Sequence, residues 1–209
     1  MRLIAAAFVA IFLSACTSKT KELPILGRHD FTKRMVDGQE VMDTLYYSIP
    51  DFEFYDQDSN RVNENLVDGK IYVTDFFFTS CPSICPQMKR NMLTVYEEFL
   101  QEDRFQLLSH SIDFIKDSVP VLKKYAGKIG ISSSKWHLLA GEKDEIYDMA
   151  EAYMVAASED PKAPGGFAHS GAFILVDGEG HIRAYYDGTT KEDTELLIKD
   201  IYTLLNATP

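Results

Sequence analysis

The sequence predicts an α/β fold, with a mixed central sheet and an added N-terminal β-hairpin. Two observations carry this. Apolar runs of strand length alternate with segments whose apolar residues recur every three or four positions, a pattern that lays helices on a sheet. The chain also closes with two short strands around a tight turn and then a helix, which makes part of the sheet antiparallel. Its 209 residues suit one domain with a full hydrophobic core.

The elements follow in order. Residues 17 to about 40 are polar and aperiodic, and read as a tether. Val41 to Ile49 has strand character and is broken by Pro50-Asp51. Phe52-Glu53-Phe54-Tyr55 alternates and enters the turn Asp56-Gln57-Asp58-Ser59-Asn60, with Arg61-Val62-Asn63 as its return strand. Lys70 to Thr79 is a nearly continuous β-branched and aromatic run, as in a strand buried on both faces. Gln87 to Gln101 places Met88, Met92, Leu93, Tyr96, Phe99 and Leu100 at helical spacing. Phe105 to Ile112 is another strand. Asp117-Ser118, then Pro120, opens a helix to about Gly127. Trp136 to Leu139 is a short strand and Lys143 to Tyr153 a helix. Ala172 to Val176 and His181 to Tyr186 flank the turn Asp177-Gly178-Glu179-Gly180. Thr190, with Asp193 three residues on, caps a last helix bearing Leu197, Ile201 and Leu204.

The N-terminus is of a different kind. Met1-Arg2 supplies positive charge, Leu3 to Leu13 is apolar throughout, and Leu13-Ser14-Ala15-Cys16 follows. A charged start, a short apolar core and small residues before the cut describe an export signal. The apolar run is too short for the ~20 residues that a membrane-spanning helix needs. The last four residues resemble the lipobox of bacterial lipoproteins, in which the cysteine becomes the acylated first residue. The resemblance implies a signal peptide over residues 1–15, a lipidated Cys16 with a flexible tether over 16–40, and a folded domain over 41–209. It implies an exported protein held to a bacterial membrane by acyl chains and facing the periplasm or the cell exterior. The net charge is −11, and loss of Arg2 with the signal makes it −12. No basic stretch faces a phosphate backbone, which argues against a nucleic-acid partner.

With Cys16 assigned to lipid, Cys81 and Cys85 are the thiols left for function. They lie in Thr79-Ser80-Cys81-Pro82-Ser83-Ile84-Cys85-Pro86, between a buried strand and a helix whose first turn accepts Pro86. A helix N-terminus favours thiolate over thiol, so Cys85, and with it Cys81, is expected to have a lowered pKa. Thiolates serve disulfide exchange and metal binding equally, and the position alone does not choose between them. A stapling disulfide closing so short a loop would stabilise little. A closed zinc site prefers four ligands. Two thiolates and one imidazole suit the soft ion Cu(I). Of the histidines, His29 reads as solvated in the tether, His110 and His137 as strand residues, and His181 as an exposed hairpin residue. His169 stands apart in the small-residue loop Ala163-Pro164-Gly165-Gly166-Phe167-Ala168-His169-Ser170-Gly171, where glycines permit close backbone approach. The acceptor that would hold its second ring nitrogen is not legible in the sequence.

Over about residues 45–206 the chain resembles the SCO/SenC family of copper-binding, thioredoxin-like proteins. The likeness rests on Pro50-Asp51-Phe52, Phe78-Thr79-Ser80-Cys81, the Cys-x3-Cys-Pro motif ending at Pro86, Ser111-Ile112-Asp113 with Asp117, and His169 before the hairpin of Asp177 and Gly180. Family positions that often hold Asp, Asp and Pro are here Ser83, Ala168 and Phe114. The resemblance implies a thioredoxin-like fold in which the loop of His169 faces the cysteines, and copper, as Cu(I) or Cu(II), held by Cys81, Cys85 and His169. It implies delivery of that copper to the binuclear copper centre of cytochrome c oxidase. The alternative it carries is a thiol–disulfide reductase acting through Cys81 and Cys85. Asp113 and Asp117 are expected to cap or brace the following helix rather than to bind metal.

Overall fold

The structure, a computed structural model, describes residues 22–207. The expected signal peptide and Cys16 lie outside the described residues. Among the described residues, eleven strands and four α-helices follow in chain order: β1 Asp30–Val36, β2 Gln39–Leu45, β3 Glu53–Tyr55, β4 Arg61–Asn63, β5 Ile71–Phe77, α1 Cys85–Glu98, β6 Phe105–Ser111, α2 Val119–Ile129, β7 Trp136–Leu139, α3 Lys143–Ala152, β8 Ala157–Glu159, β9 Phe167–His169, β10 Ala172–Val176, β11 Ile182–Asp187 and α4 Lys191–Ala207.

Five strands form the central sheet in the order β11-β10-β5-β6-β7. β5, β6 and β7 are parallel, while β10 runs antiparallel to both β5 and β11. The sheet is therefore mixed. Every residue of β5, β6 and β7 is buried, as their apolar runs require. One face is covered by α1, α2 and α4: α1 and α2 meet over Asp75, Ser109 and Trp136, and Tyr202 of α4 packs on Phe99 beside α1. The other face carries His110 and Phe76 under Phe54 of the β3–β4 hairpin and Tyr153 at the end of α3. Thr190 closes the start of α4, accepting the Asp193 N–H at 3.2 Å.

Two segments differ from the sequence reading. Residues 30–36, within the stretch read as a tether, form β1, and β1 pairs in antiparallel register with β2 into a ribbon clear of the sheet. Every residue of β1 is exposed, so no apolar alternation marks it. Upstream, Leu26 donates its N–H to Ile182 at 2.8 Å, which ties the segment before the ribbon to β11. The second difference is the loop of His169. Phe167–His169 is strand β9, paired with β8. Three-residue strands separated by Asp160-Pro161-Lys162-Ala163-Pro164-Gly165-Gly166 are too short to show a period.

Candidate metal centre

Three elements assemble the site. β5 ends at Phe77, and the Phe78 carbonyl takes the Cys81 N–H at 3.2 Å, turning the chain across the sheet end. Asp117, buried before α2, fixes this turn. Its carboxylate accepts the Thr79 N–H at 2.8 Å, the Thr79 hydroxyl at 2.5 Å and the Ser111 hydroxyl at 2.6 Å. Asp113 accepts the Lys116 N–H at 3.0 Å within a local turn. The two carboxylates thus brace the cysteine loop and its neighbour, whereas the sequence reading has them capping or bracing the following helix. Ser118, the residue before α2, makes no side-chain cap.

Cys85 is the first residue of α1, and the β8–β9 hairpin brings His169 over it. Cys85 Sγ and His169 Nε2 are 3.4 Å apart, and the donor atoms of Cys81, Cys85 and His169 all lie within 4.8 Å of one another. Among the described residues this is the one cluster of three possible ligands so disposed. Both cysteines are buried free thiols and His169 is half-buried. His169 Nδ1 lies 2.9 Å from the Ser170 carbonyl, which can only accept, so the ring proton sits on Nδ1 and the Nε2 lone pair faces the sulfurs. Burial holds the His169 pKa below the ordinary imidazole value, against the opposing Ser170 carbonyl, so the ring is neutral.

The thiols divide their proton unevenly. Burial pushes the Cys81 thiol up, but hydrogen bonds from Cys85 and Ser83 outweigh it and leave its pKa below the ordinary value. Burial raises Cys85 far above the ordinary value, and its donation to Cys81 adds to this. The sequence reading places the lowering foremost on Cys85, at the helix start. Burial between α1 and the sheet reverses that order. Three donor atoms within 4.8 Å of one another are near enough to share one ion, and two sulfurs with one neutral nitrogen form a soft donor set.

The other histidines stay apart. His110 is caged by Phe76, Phe54 and Tyr153. His137 Nδ1 pairs with the Asp56 carboxylate at 3.0 Å. His29 is not simply solvated, since it accepts the Tyr47 N–H at 3.1 Å, and His181 sits half-buried beside Asp177 and Glu179. The contact that sequence reasoning missed is Phe78. Its ring packs on Phe167 and His169, joining the cysteine loop to the histidine hairpin.

The sequence profile of SCO1/SenC matches residues 43–206. The chain belongs to the SCO1/SenC family. The solved structures similar to it include a SCO1/SenC family lipoprotein from Bacillus anthracis str. Ames. It is 27% identical with a TM-score of 0.69, over 76% of this chain and 95% of that one. A second is BsSco, described as a member of the Sco family of cytochrome c oxidase assembly proteins. It is 28% identical with a TM-score of 0.66, over 76% of this chain and 93% of that one. A third is yeast Sco1 with copper bound, 26% identical with a TM-score of 0.59, over 73% of this chain and 87% of that one. The SCO1/SenC fold is thus thioredoxin-like, as the resemblance implied.

Proposed function

We propose that this SCO1/SenC protein binds copper through Cys81, Cys85 and His169 and delivers it, from a lipid anchor at Cys16, to the copper centre of cytochrome c oxidase. One observation carries the copper reading: the two sulfurs and the imidazole nitrogen converge within 4.8 Å, with the ring tautomer already set by Ser170. Three donors leave a bound ion open on one side, where an incoming ligand from an acceptor protein can displace them one at a time. The copper seen in yeast Sco1 supports copper as the cargo, and the oxidase-assembly description of BsSco supports the oxidase as the partner. The lipobox at Cys16 and the lipoprotein from Bacillus anthracis support anchoring in an exported compartment.

The test is copper analysis of purified, reduced protein. Wild type retains close to one copper per chain. His169→Ala weakens binding by at least ~100-fold, more than loss of an outer-shell partner. Undiminished copper in that variant removes His169 from the site.

The Cys81 pKa also favours a second reading, thiol–disulfide reduction, since a lowered thiol beside a protonated neighbour is an attacking and resolving pair. Turnover of a protein disulfide at equal rates in wild type and His169→Ala would favour that reading.

A further inference from the structure

Among the described residues, both faces of the β1–β2 ribbon stand exposed, with Thr44 alone partly covered. Phe31, Lys33 and Met35 share one face with Thr44, Met42 and Glu40, their paired residues in register. On that face Phe31 is 66% exposed, Met35 67% and Met42 60%. The opposite face adds Val36, Val41 and Leu45. The charges between them are largely spent on one another, through Lys33–Glu40 at 3.0 Å and Arg34–Asp43 at 2.9 Å. Residues 28–45 carry three positive and four negative side chains, near balance in a chain of net −11.

Its place in the fold selects the occupant. The ribbon springs from between two docked segments: Leu26 bonds Ile182, and Ile49 donates to the Gly180 carbonyl at 2.9 Å. Arg183 holds the upstream segment by hydrogen bonds to the Leu23 and Pro24 carbonyls. The turn between β10 and β11 lies at the start of β5, where Gly69 donates to the Gly178 carbonyl at 3.0 Å. Cys81 lies beyond the far end of β5, a strand of seven residues and so about 23 Å long. Cys16 precedes Glu22 by six residues, which span at most ~20 Å. An acyl chain on Cys16 therefore keeps the ribbon's end of the sheet near the bilayer.

We propose that the exposed β1–β2 ribbon lies on the lipid surface as a second membrane contact, with Phe31, Met35 and Met42 in the interfacial layer. The proposal rests on the anchoring of Cys16. The acyl chains on Cys16 hold the leader at the surface, and an apolar, nearly neutral ribbon beside them adds buried apolar area to that attachment.

The test uses the full lipidated chain in phosphatidylcholine vesicles with brominated acyl chains. Phe31→Trp places an indole on the ribbon. Val121→Trp places one on α2, near the metal end, as reference. Both positions are exposed, so neither change burdens the core, and buried Trp136 gives the same background in each. Bromolipid quenches the added emission at least two-fold at position 31 and leaves that at 121 unchanged. The mass of the Cys16 peptide reports acylation independently. An acylated, vesicle-bound chain with position 31 unquenched overturns the ribbon contact and leaves the anchor standing. An emission shift at position 31 that follows dimer formation rather than bromolipid also overturns it, in favour of a second copy. A Cys16 peptide without acyl mass overturns the anchor, and the ribbon contact with it.

Discussion

Gly165 leaves no room for a side chain: a Cβ there would stand 2.6 Å from the Phe78 ring, and its φ of +89° lies where L-residues are strained. Phe78 in turn packs against Phe167 and His169. Gly165→Ala should therefore lift the β8–β9 hairpin away from Phe78 and carry His169 off Cys85. Copper affinity should fall about 10-fold, as when a ligand loses its support, although no donor has changed. Competition with a chromophoric Cu(I) chelator measures this, and unchanged affinity would show that the hairpin does not depend on that contact. The same residues mark what the sequence could disclose. His169 is legible because glycines around it signal a backbone that must pass close to something. Its support is not, because Ser170 acts through a carbonyl that any residue would offer. The order of the two thiols is hidden for a related reason. A helix start is visible in the motif, but the burial that raises Cys85 comes from the packing of α1 on the sheet.

At the scale of elements, long apolar strands and capped helices were readable from composition, and β7 and β10 have the limits their sequences suggest. The ribbon and the β8–β9 hairpin were not, since exposed or three-residue strands bury no regular stripe. The pairing of β5 with β6 has an effect that no single strand shows. Asp75 and Ser109 are register partners under α1 and α2, and burial raises the Asp75 pKa to about 7 although Ser109 donates to it. Phe76 and His110 are the next pair, on the opposite face, where burial lowers the His110 pKa to about 3. The two act oppositely on stability. Between its ordinary 3.8 and about 7 the folded Asp75 holds a proton that the unfolded chain has lost, so its contribution is full below that window and disappears as pH rises through it. Between its ordinary 6.5 and about 3 the unfolded His110 gains a proton that the folded one refuses, so its contribution is full above that window and disappears as pH falls. Each spans about three pH units, of the order of 4 kcal/mol, and over their common range they offset one another. Urea unfolding between pH 4 and 6.5 should show a nearly flat profile in the wild type. Asp75→Asn should unmask a loss of stability towards acid, and a flat profile in that variant would mean that His110 does not titrate against the fold.

For the whole molecule, residues 22–29 are fastened to the central sheet with little slack. Arg183 reaches the Leu23 and Pro24 carbonyls and pairs with Asp177 at 2.8 Å, so its side chain adds to the Leu26–Ile182 bond in holding this segment to the sheet. Arg183→Ala should release it. Hydrogen exchange at the Leu26 amide should quicken by roughly 10-fold, the effect of losing about 1.4 kcal/mol of hydrogen bonding, with α1 and the central sheet unaffected. Equal slowing or quickening throughout the domain would instead mean that residues 22–29 and the sheet open as one unit.

That fastening also sets an altitude. With Cys16 acylated, the six residues from there to Glu22 and the length of β5 together hold the cysteine pair on the order of 40 Å from the lipid surface. A protein tethered in this way searches a shallow disc beside the membrane instead of the volume of its compartment. Its encounters are then confined to partners whose acceptor sites project to that same height.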